Sequence, residues 1–176
     1  MPPNRRNGVK PTNNTSVLLT MVLAATVVSG CGRPRTEAAT VAQNMATIRA
    51  YVEAANRGDA NYLDGYLAPN YVYHGPSGDL DADGFKALHD AVLSAFPGLV
   101  IEIDDMLAAG DKVVTRWTLR GVHRGEFQGI APTGKEVTVT GIIITRFKNG
   151  KAVEEWEEAN LLGMMQQLGA MSPPPS

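Results

Sequence analysis

The clearest pattern along the chain is an apolar repeat at three- and four-residue intervals, which predicts amphipathic helices. From Val41 to Ala55 the apolar positions step by 4, 3, 4 and 3 residues. Gly58 follows, at the left-handed position where many helices end. Thr36 or Thr40 is placed to cap the start of this first helix.

A second apolar stripe predicts a helix over residues 84–96, with Asp83 as its N-cap and Pro97 just beyond its last residue. Two shorter helices are predicted at residues 61–67 and 161–168. The apolar residues of these segments require a second layer of structure to cover them.

Alternation of apolar and polar residues predicts strands between and after these helices. The polar residues 79–83 are interpreted as a link, and residues 142–144, apolar on both parities, predict a central strand covered on both faces. Asn149-Gly150 is a strong hairpin signal. The strands are expected at residues 71–74, 99–107, 112–122, 136–147 and 152–159.

Helices gathered early and a run of strands late are typical of an α+β fold rather than of a parallel βαβ sheet. A curved antiparallel sheet wrapped around a long helix leaves a cavity suited to a small molecule. Residues 121–134 hold four glycines and predict a long connection at the rim of the sheet, where ligand contacts often occur.

The first 30 residues resemble a secretory signal peptide, with an early basic group and an apolar run at residues 16–28. The chain's one cysteine, Cys31, ends a Val-Ser-Gly-Cys sequence that resembles a bacterial lipobox. We therefore expect an exported protein with a lipid anchor at Cys31; the alternative is a soluble secreted protein with an incidental cysteine. Residues 31–40 would form a tether, 41–170 the domain and 171–176 a disordered tail.

Removal of residues 1–30 takes three of the 16 basic residues and none of the 18 acidic residues, so the net charge changes from −2 to −5. This acidic balance disfavours nucleic-acid binding, and membrane contact is expected through the lipid anchor alone. No nucleotide-binding or zinc-protease motif occurs, and His74, His89 and His123 lack metal-site spacing. The sequence thus predicts neither a metal nor a cofactor.

Several polar residues lie on otherwise apolar strands and are candidates for a site. Arg146 shares a strand face with isoleucines and requires a carboxylate such as Glu154 or Glu158. It is either half of a structural salt bridge or a pocket residue that polarises a carbonyl. His74 is either an exposed histidine or a pocket donor, and His123 is either structural or a gate for substrate.

The residues from 121 to 169, with Tyr71–His74 and Ala95–Pro97 upstream, resemble the SnoaL-like polyketide cyclases, also called ester cyclases. The resemblance covers about residues 42–169. It implies a nuclear transport factor 2-like fold, in which a conical, strongly curved sheet and N-terminal helices enclose a pocket. It also implies homodimers and a cofactor-free aldol ring closure that begins when a carboxylate removes a proton from carbon.

By this resemblance His74 matches a pocket histidine of the cyclases, Arg146 a polar pocket position and Asn160 the aspartate base. An amide cannot act as a general base at neutral pH. Glu158 or His74 would then have to replace it, or the chain does not catalyse this reaction. We further expect the pocket to be lined by Arg116, His123, Trp117, Trp156 and Tyr73.

Two functions remain open from the sequence. The first is cyclase- or isomerase-type chemistry on a small hydrophobic, polyketide-like carbonyl compound. The second is a non-catalytic lipoprotein that binds a hydrophobic ligand or a protein partner in the same pocket. Asn160 favours the second function, and the family pattern favours the first.

Overall fold

The computed structural model describes residues 36–172, which fold as helices packed on one curved sheet. The α+β fold expected from the sequence is confirmed. The helices are α1 Glu37–Asn56, α2 Tyr62–Tyr66, α3 Ala82–Ala95 and α4 Leu161–Leu168. The strands are β1 Leu67–Gly75, β2 Gly78–Asp81, β3 Val100–Ala109, β4 Lys112–Val122, β5 Glu136–Lys148 and β6 Lys151–Ala159.

The six strands form one sheet in the order β2-β1-β6-β5-β4-β3. Neighbouring strands are antiparallel except β1 and β6, which run parallel. The predicted hairpin between β5 and β6 is confirmed, with Asn149 at φ 54° and Gly150 at φ 79°. Because β6 pairs with β1 on one side and β5 on the other, its side chains lie near the middle of the sheet.

Three local predictions are corrected. The first helix begins at Glu37, because the Thr36 side chain accepts from the Ala39 N–H, so residues 37–40 are not tether. The predicted link at residues 79–83 includes β2, whose backbone pairs with β1. Asp81 rather than Asp83 caps α3, since its Oδ1 accepts from the N–H of Gly84 at 2.9 Å.

The helices cover only one face of the sheet, which we call the inner face. Two apolar clusters fill the space beneath them, one around Tyr66 and Phe85 and the other around Phe96 and Val139. On the other, outer face the side chain of Ile142 is 48 % exposed. The prediction that residues 142–144 are covered on both faces is therefore wrong for the described chain, because no helix packs against the outer face.

The long connection between β4 and β5 is confirmed and is tied to the end of α3. The N–H groups of Arg124 and Gly125 both donate to the carbonyl of Ala95, at 2.8 and 3.0 Å. A Cβ on Gly125 would lie 2.4 Å from the carbonyl oxygen of Ser94. Glycine thus permits the close approach that holds this loop against the helix.

The predicted signal peptide and lipobox, including Cys31, lie outside the described residues, as does most of the predicted tail. Among residues 36–172, no helix has the length and apolar character needed to cross a membrane.

Candidate active site

A cavity of about 170 Å³ lies between the inner face of the sheet and the helices α1 and α3. Its wall is apolar where the helices meet it and polar at a few places on the sheet. A second hollow adjoins it and shares six lining residues with it, namely Tyr73, Leu88, Val92, Trp117, Leu119 and Glu157. Glu157 is the one carboxylate common to both.

Glu155 is the deepest carboxylate of this region and is only 1 % exposed. It accepts hydrogen bonds from the hydroxyls of Tyr66 at 2.5 Å and Thr145 at 2.7 Å, and also from Tyr71. Burial raises the pKa of Glu155, and these three donors act in the opposite direction. The arrangement joins α2, β1, β5 and β6 around one side chain.

Glu157, two residues along β6, faces the same cavity but has fewer donors. It accepts from the hydroxyl of Tyr73, and the Trp117 side chain also favours its ionised form. Burial is the largest effect and, with repulsion from Glu155, raises the pKa of Glu157 to about 7. A carboxylate that titrates near neutral pH in an apolar wall is suited to take up and return a proton.

His89 and Thr115 add two further polar groups to the cavity wall. His89 comes from α3 and Thr115 from β4. Neither His89 ring nitrogen, nor the Thr115 hydroxyl, has a hydrogen-bond partner within residues 36–172. Burial lowers the pKa of His89, which favours the neutral imidazole.

Of the five residues expected in the pocket, Tyr73 and Trp117 line the cavity. Trp156 lies on the outer face, stacked on His74 at 5.6 Å between ring centroids. Arg116 is also on the outer face, where it pairs with Asp104 at 2.8 Å. His123 is fully buried against Phe96 and lines neither hollow, although Phe96 lines the second one.

The predicted catalytic residues His74 and Arg146 lie on the outer face, so their expected pocket position is wrong. His74 bonds Asp79 at 2.9 Å and Glu154 at 3.2 Å, and these bonds raise its pKa. Arg146 Nε donates to Glu154 at 3.0 Å. Of the two roles considered for Arg146, a structural salt bridge and a pocket residue, the structure shows the salt bridge.

Glu158 and Asn160 are exposed and are likewise outside the cavity. The Asn160 side chain accepts from the N–H of Gly163 at 2.9 Å and caps α4. Side chains alternate across a strand, so Glu158 points away from the face that carries Glu155 and Glu157.

The family resemblance assigned Glu158 and Asn160, at the end of β6, to the catalytic site, and Trp156 of the same parity was expected in the pocket. The structure instead presents the opposite face of β6, with Glu155 and Glu157, to the cavity. A usable signal was the matched spacing of Tyr71 and Tyr73 in β1 with Glu155 and Glu157 in β6, because phenols are suitable donors to buried carboxylates. Within residues 36–172, no group of three or more potential ligands is placed to hold a metal ion.

The fold and the cavity together define an α+β protein with an apolar cavity between its helices and its sheet. Residues 45–168 match the family model described as SnoaL-like polyketide cyclase, and the chain belongs to this family. A comparison with curated protein sequences found no match.

Several solved structures share the fold. AclR from Streptomyces galilaeus, a proposed hydroxylase, is 30% identical with a TM-score of 0.72, over 77% of this chain and 87% of its own. IdmH from Streptomyces antibioticus, a proposed polyketide cyclase, is 31% identical with a TM-score of 0.64, over 72% of this chain and 99% of its own. TsrD from Streptomyces laurentii is 32% identical with a TM-score of 0.67, over 78% of this chain and 100% of its own. The family supports cyclase- or isomerase-type function.

Proposed function

We propose that the protein catalyses cofactor-independent cyclisation or isomerisation of a small hydrophobic, polyketide-like carbonyl compound, with Glu157 as the general base. The observation that carries this proposal is the position of Glu157. It is the carboxylate shared by the two hollows, and burial raises its pKa to about 7. At neutral pH a substantial fraction of such a group is ionised and able to accept a proton.

The chemistry follows from the acidity of a carbon next to a carbonyl group. Glu157 takes the proton from this carbon, and the electron pair of the C–H bond becomes that of an enolate. In a cyclisation the enolate carbon attacks a second carbonyl of the same substrate, and the resulting alkoxide takes the proton back from Glu157. Atoms and charge balance without any further reactant. The largely apolar wall around the site limits the water that reaches the enolate.

Tyr73 and Trp117 position the base. The Tyr73 hydroxyl donates to Glu157 and orients the carboxylate toward the cavity. Burial of Tyr73 raises its pKa far above neutral, so it remains a donor throughout. Trp117 lines both hollows and offers a flat apolar surface for a ring-shaped substrate.

The direct test is exchange of the acidic C–H proton of a β-keto ester for deuterium, followed by ¹H NMR in D₂O. Removal of a general base typically lowers a rate by about 10²- to 10⁴-fold, so Glu157→Gln should abolish the exchange above background. Glu158→Gln is the matched control, since it removes a carboxylate from the exposed side of the same strand. Equal rates in wild type and Glu157→Gln would rule out this base.

The alternative function is a binding protein, and one observation favours it: Asn160 occupies the position that resembles the family's base. If wild type binds a ligand without exchanging its proton, and Asn160→Asp then exchanges it, the site is a cyclase site that has lost its base. The exposed position of Asn160 supports the opposite expectation, that Asn160→Asp gains nothing.

We also propose that the protein is exported and anchored by a lipid on Cys31. The support is the basic start, the apolar run at residues 16–28 and the lipobox-like sequence. Metabolic labelling with a radioactive fatty acid should mark the wild-type chain in the membrane fraction and not Cys31→Ser. Equal labelling of the two, or none of the wild type, would contradict the anchor.

A further inference from the structure

His89 is a buried polar side chain that nothing in the proposed proton transfer uses. It projects from α3 into the cavity, is 9 % exposed, and lies among apolar neighbours such as Leu88 and Val92. Neither Nδ1 nor Nε2 has a hydrogen-bond partner within residues 36–172. A neutral imidazole always presents one donor and one acceptor, so both hydrogen-bonding positions of this cavity-lining residue are unused within the described chain.

The position of His89 differs from that of the carboxylates. Its ring lies 5.9 Å from the ring of Tyr51, which in turn stacks at 4.9 Å on Tyr66. The Tyr66 hydroxyl then reaches Glu155. Two aromatic rings thus separate the imidazole from the buried carboxylate along this wall, and His89 marks a second polar part of the cavity.

Thr115 supports the same division of the cavity. Its side chain is 2 % exposed, and its hydroxyl has no partner among the described residues. In the sheet Thr115 pairs with Ile143, and Ile143 pairs with Glu157. Two strand spacings of about 4.8 Å therefore separate the backbone positions of Thr115 and Glu157, roughly 10 Å. The apolar side chain of Ile143 lies between them.

From this geometry we infer that His89, with Thr115 as a second contact, binds an oxygen atom of the substrate at the end remote from Glu157. The inference rests on the proposed function, because it concerns the other end of the same ligand. The substrate class is a compound with an apolar, ring-containing body and oxygen at both ends. One end carries the carbonyl next to the acidic carbon, and the other carries a carbonyl, ether or hydroxyl oxygen that pairs with the imidazole.

The test uses matched pairs of small ketones with the purified full chain. The probes are 1-tetralones with a methoxy group at ring position 5, 6 or 7, each paired with the 1-tetralone that carries an ethyl group there. The two members of a pair have nearly the same shape and differ in the remote oxygen. Binding is measured by calorimetry, and the imidazole nitrogens of His89 are followed in long-range ¹H–¹⁵N spectra.

For at least one ring position we expect the methoxy compound to bind about three- to tenfold more tightly than its ethyl partner, the range for one hydrogen bond. His89→Phe should remove this preference, so that the two members of the pair bind within about twofold of each other. His123→Phe is the matched control, because His123 is also buried with an Nε2 that has no partner in the described chain, but it does not line the cavity. It should retain the preference.

The spectra provide a measurement that needs no variant. The His89 nitrogen signals should move on addition of the methoxy compound and much less on addition of the ethyl compound. If tetralones bind but no pair shows a preference, or if His89→Phe retains it, the inference fails and the proposed function stands. If no tetralone binds at 1 mM, the inference fails. The proposed function is decided separately, by whether deuterium exchange of the β-keto ester depends on Glu157.

Discussion

The dependence of stability on pH offers a quantitative check of the environment of Glu157. Its pKa is raised from 4.5 to about 7 in the folded protein, chiefly by burial. The folded state therefore holds this proton more tightly than the unfolded chain does. The stabilising effect of the proton is fully present below about pH 4.5 and is lost as the pH rises through 7.

The magnitude follows from 1.36 kcal/mol for each pH unit that separates the two pKa values. The wild type should therefore lose about 3 kcal/mol of unfolding free energy, relative to Glu157→Gln, between pH 4.5 and 8. Glutamine has nearly the same shape and accepts from the Tyr73 hydroxyl, but it does not titrate. The difference between the two proteins removes the contribution of titrating groups that do not interact with Glu157, and leaves that of Glu157 with its coupling to Glu155.

The assay is urea unfolding at one-unit steps from pH 4.5 to 8.5, followed by circular dichroism. Glu158→Gln serves as the control, and because this residue is exposed the substitution should change stability by less than about 0.5 kcal/mol at each pH. A difference between wild type and Glu157→Gln that stays constant within about 0.5 kcal/mol across the range would refute the raised pKa. Because the raised pKa is the main support for Glu157 as the base, that assignment would lose its support as well.

Other substitutions test the remaining contacts by urea unfolding. Tyr71→Phe removes one donor from the buried Glu155 carboxylate and should cost about 1.5–3 kcal/mol of unfolding free energy. The control Tyr62→Phe, whose hydroxyl has no hydrogen bond in the described chain, should cost under about 0.5 kcal/mol. Equal losses in the two variants would contradict this expectation. Gly125→Ala places a Cβ 2.4 Å from a backbone oxygen and should cost about 1–3 kcal/mol, against a neutral or stabilising Gly65→Ala in open space; an unchanged Gly125→Ala would show that the loop can shift. Asn160→Ala loses a helix cap and should cost about 1 kcal/mol; no loss would mean that the cap contributes nothing.

The network around Glu155 illustrates how a buried carboxylate is accommodated. Isolated burial of a charge is strongly unfavourable, and removal of one partner leaves the charge unpaired. Here three hydroxyls from α2, β1 and β5 surround it. Because the donors come from separate elements, the network requires their correct mutual placement, and it holds β6 in the position that presents Glu157 to the cavity.

Sequence periodicity predicted the helices and strands well because each element repeats its apolar residues at its own period. β4 matches residues 112–122, and α4 matches residues 161–168. The errors occur where polar residues join regular structure. β2, with sequence Gly-Asp-Leu-Asp, carries one apolar residue, so only pairing with β1 identifies it as a strand. The cap of α3 was likewise misplaced by two residues, because Asp81 and Asp83 are both polar and only the structure shows that Asp81 accepts from the helix N–H.

The candidate site was harder to predict than the fold. Periodicity divides the side chains of a strand into two sets, but it cannot say which set faces the helices when both sets contain glutamates. In β6 the sets are Glu154, Trp156 and Glu158 against Val153, Glu155 and Glu157, and the family resemblance favoured the first set, which lies outside the cavity. His89 gave no signal beyond its helical position among apolar residues. The absence of a partner for its nitrogens is visible only when the surrounding side chains are in place.

By itself the sequence determined the α+β class, the order of the elements and membership in the family, because these depend on local periodicity and on the order of short motifs. Only the tertiary structure decided which carboxylates belong to the cavity. The parallel pairing of β1 with β6 brings Tyr71 and Tyr73 to Glu155 and Glu157 across more than 80 positions of sequence. Burial then raises the pKa of Glu157 to about 7. Burial depends on what packs against a side chain, and this is a property of the assembled fold rather than of the residue and its neighbours in sequence.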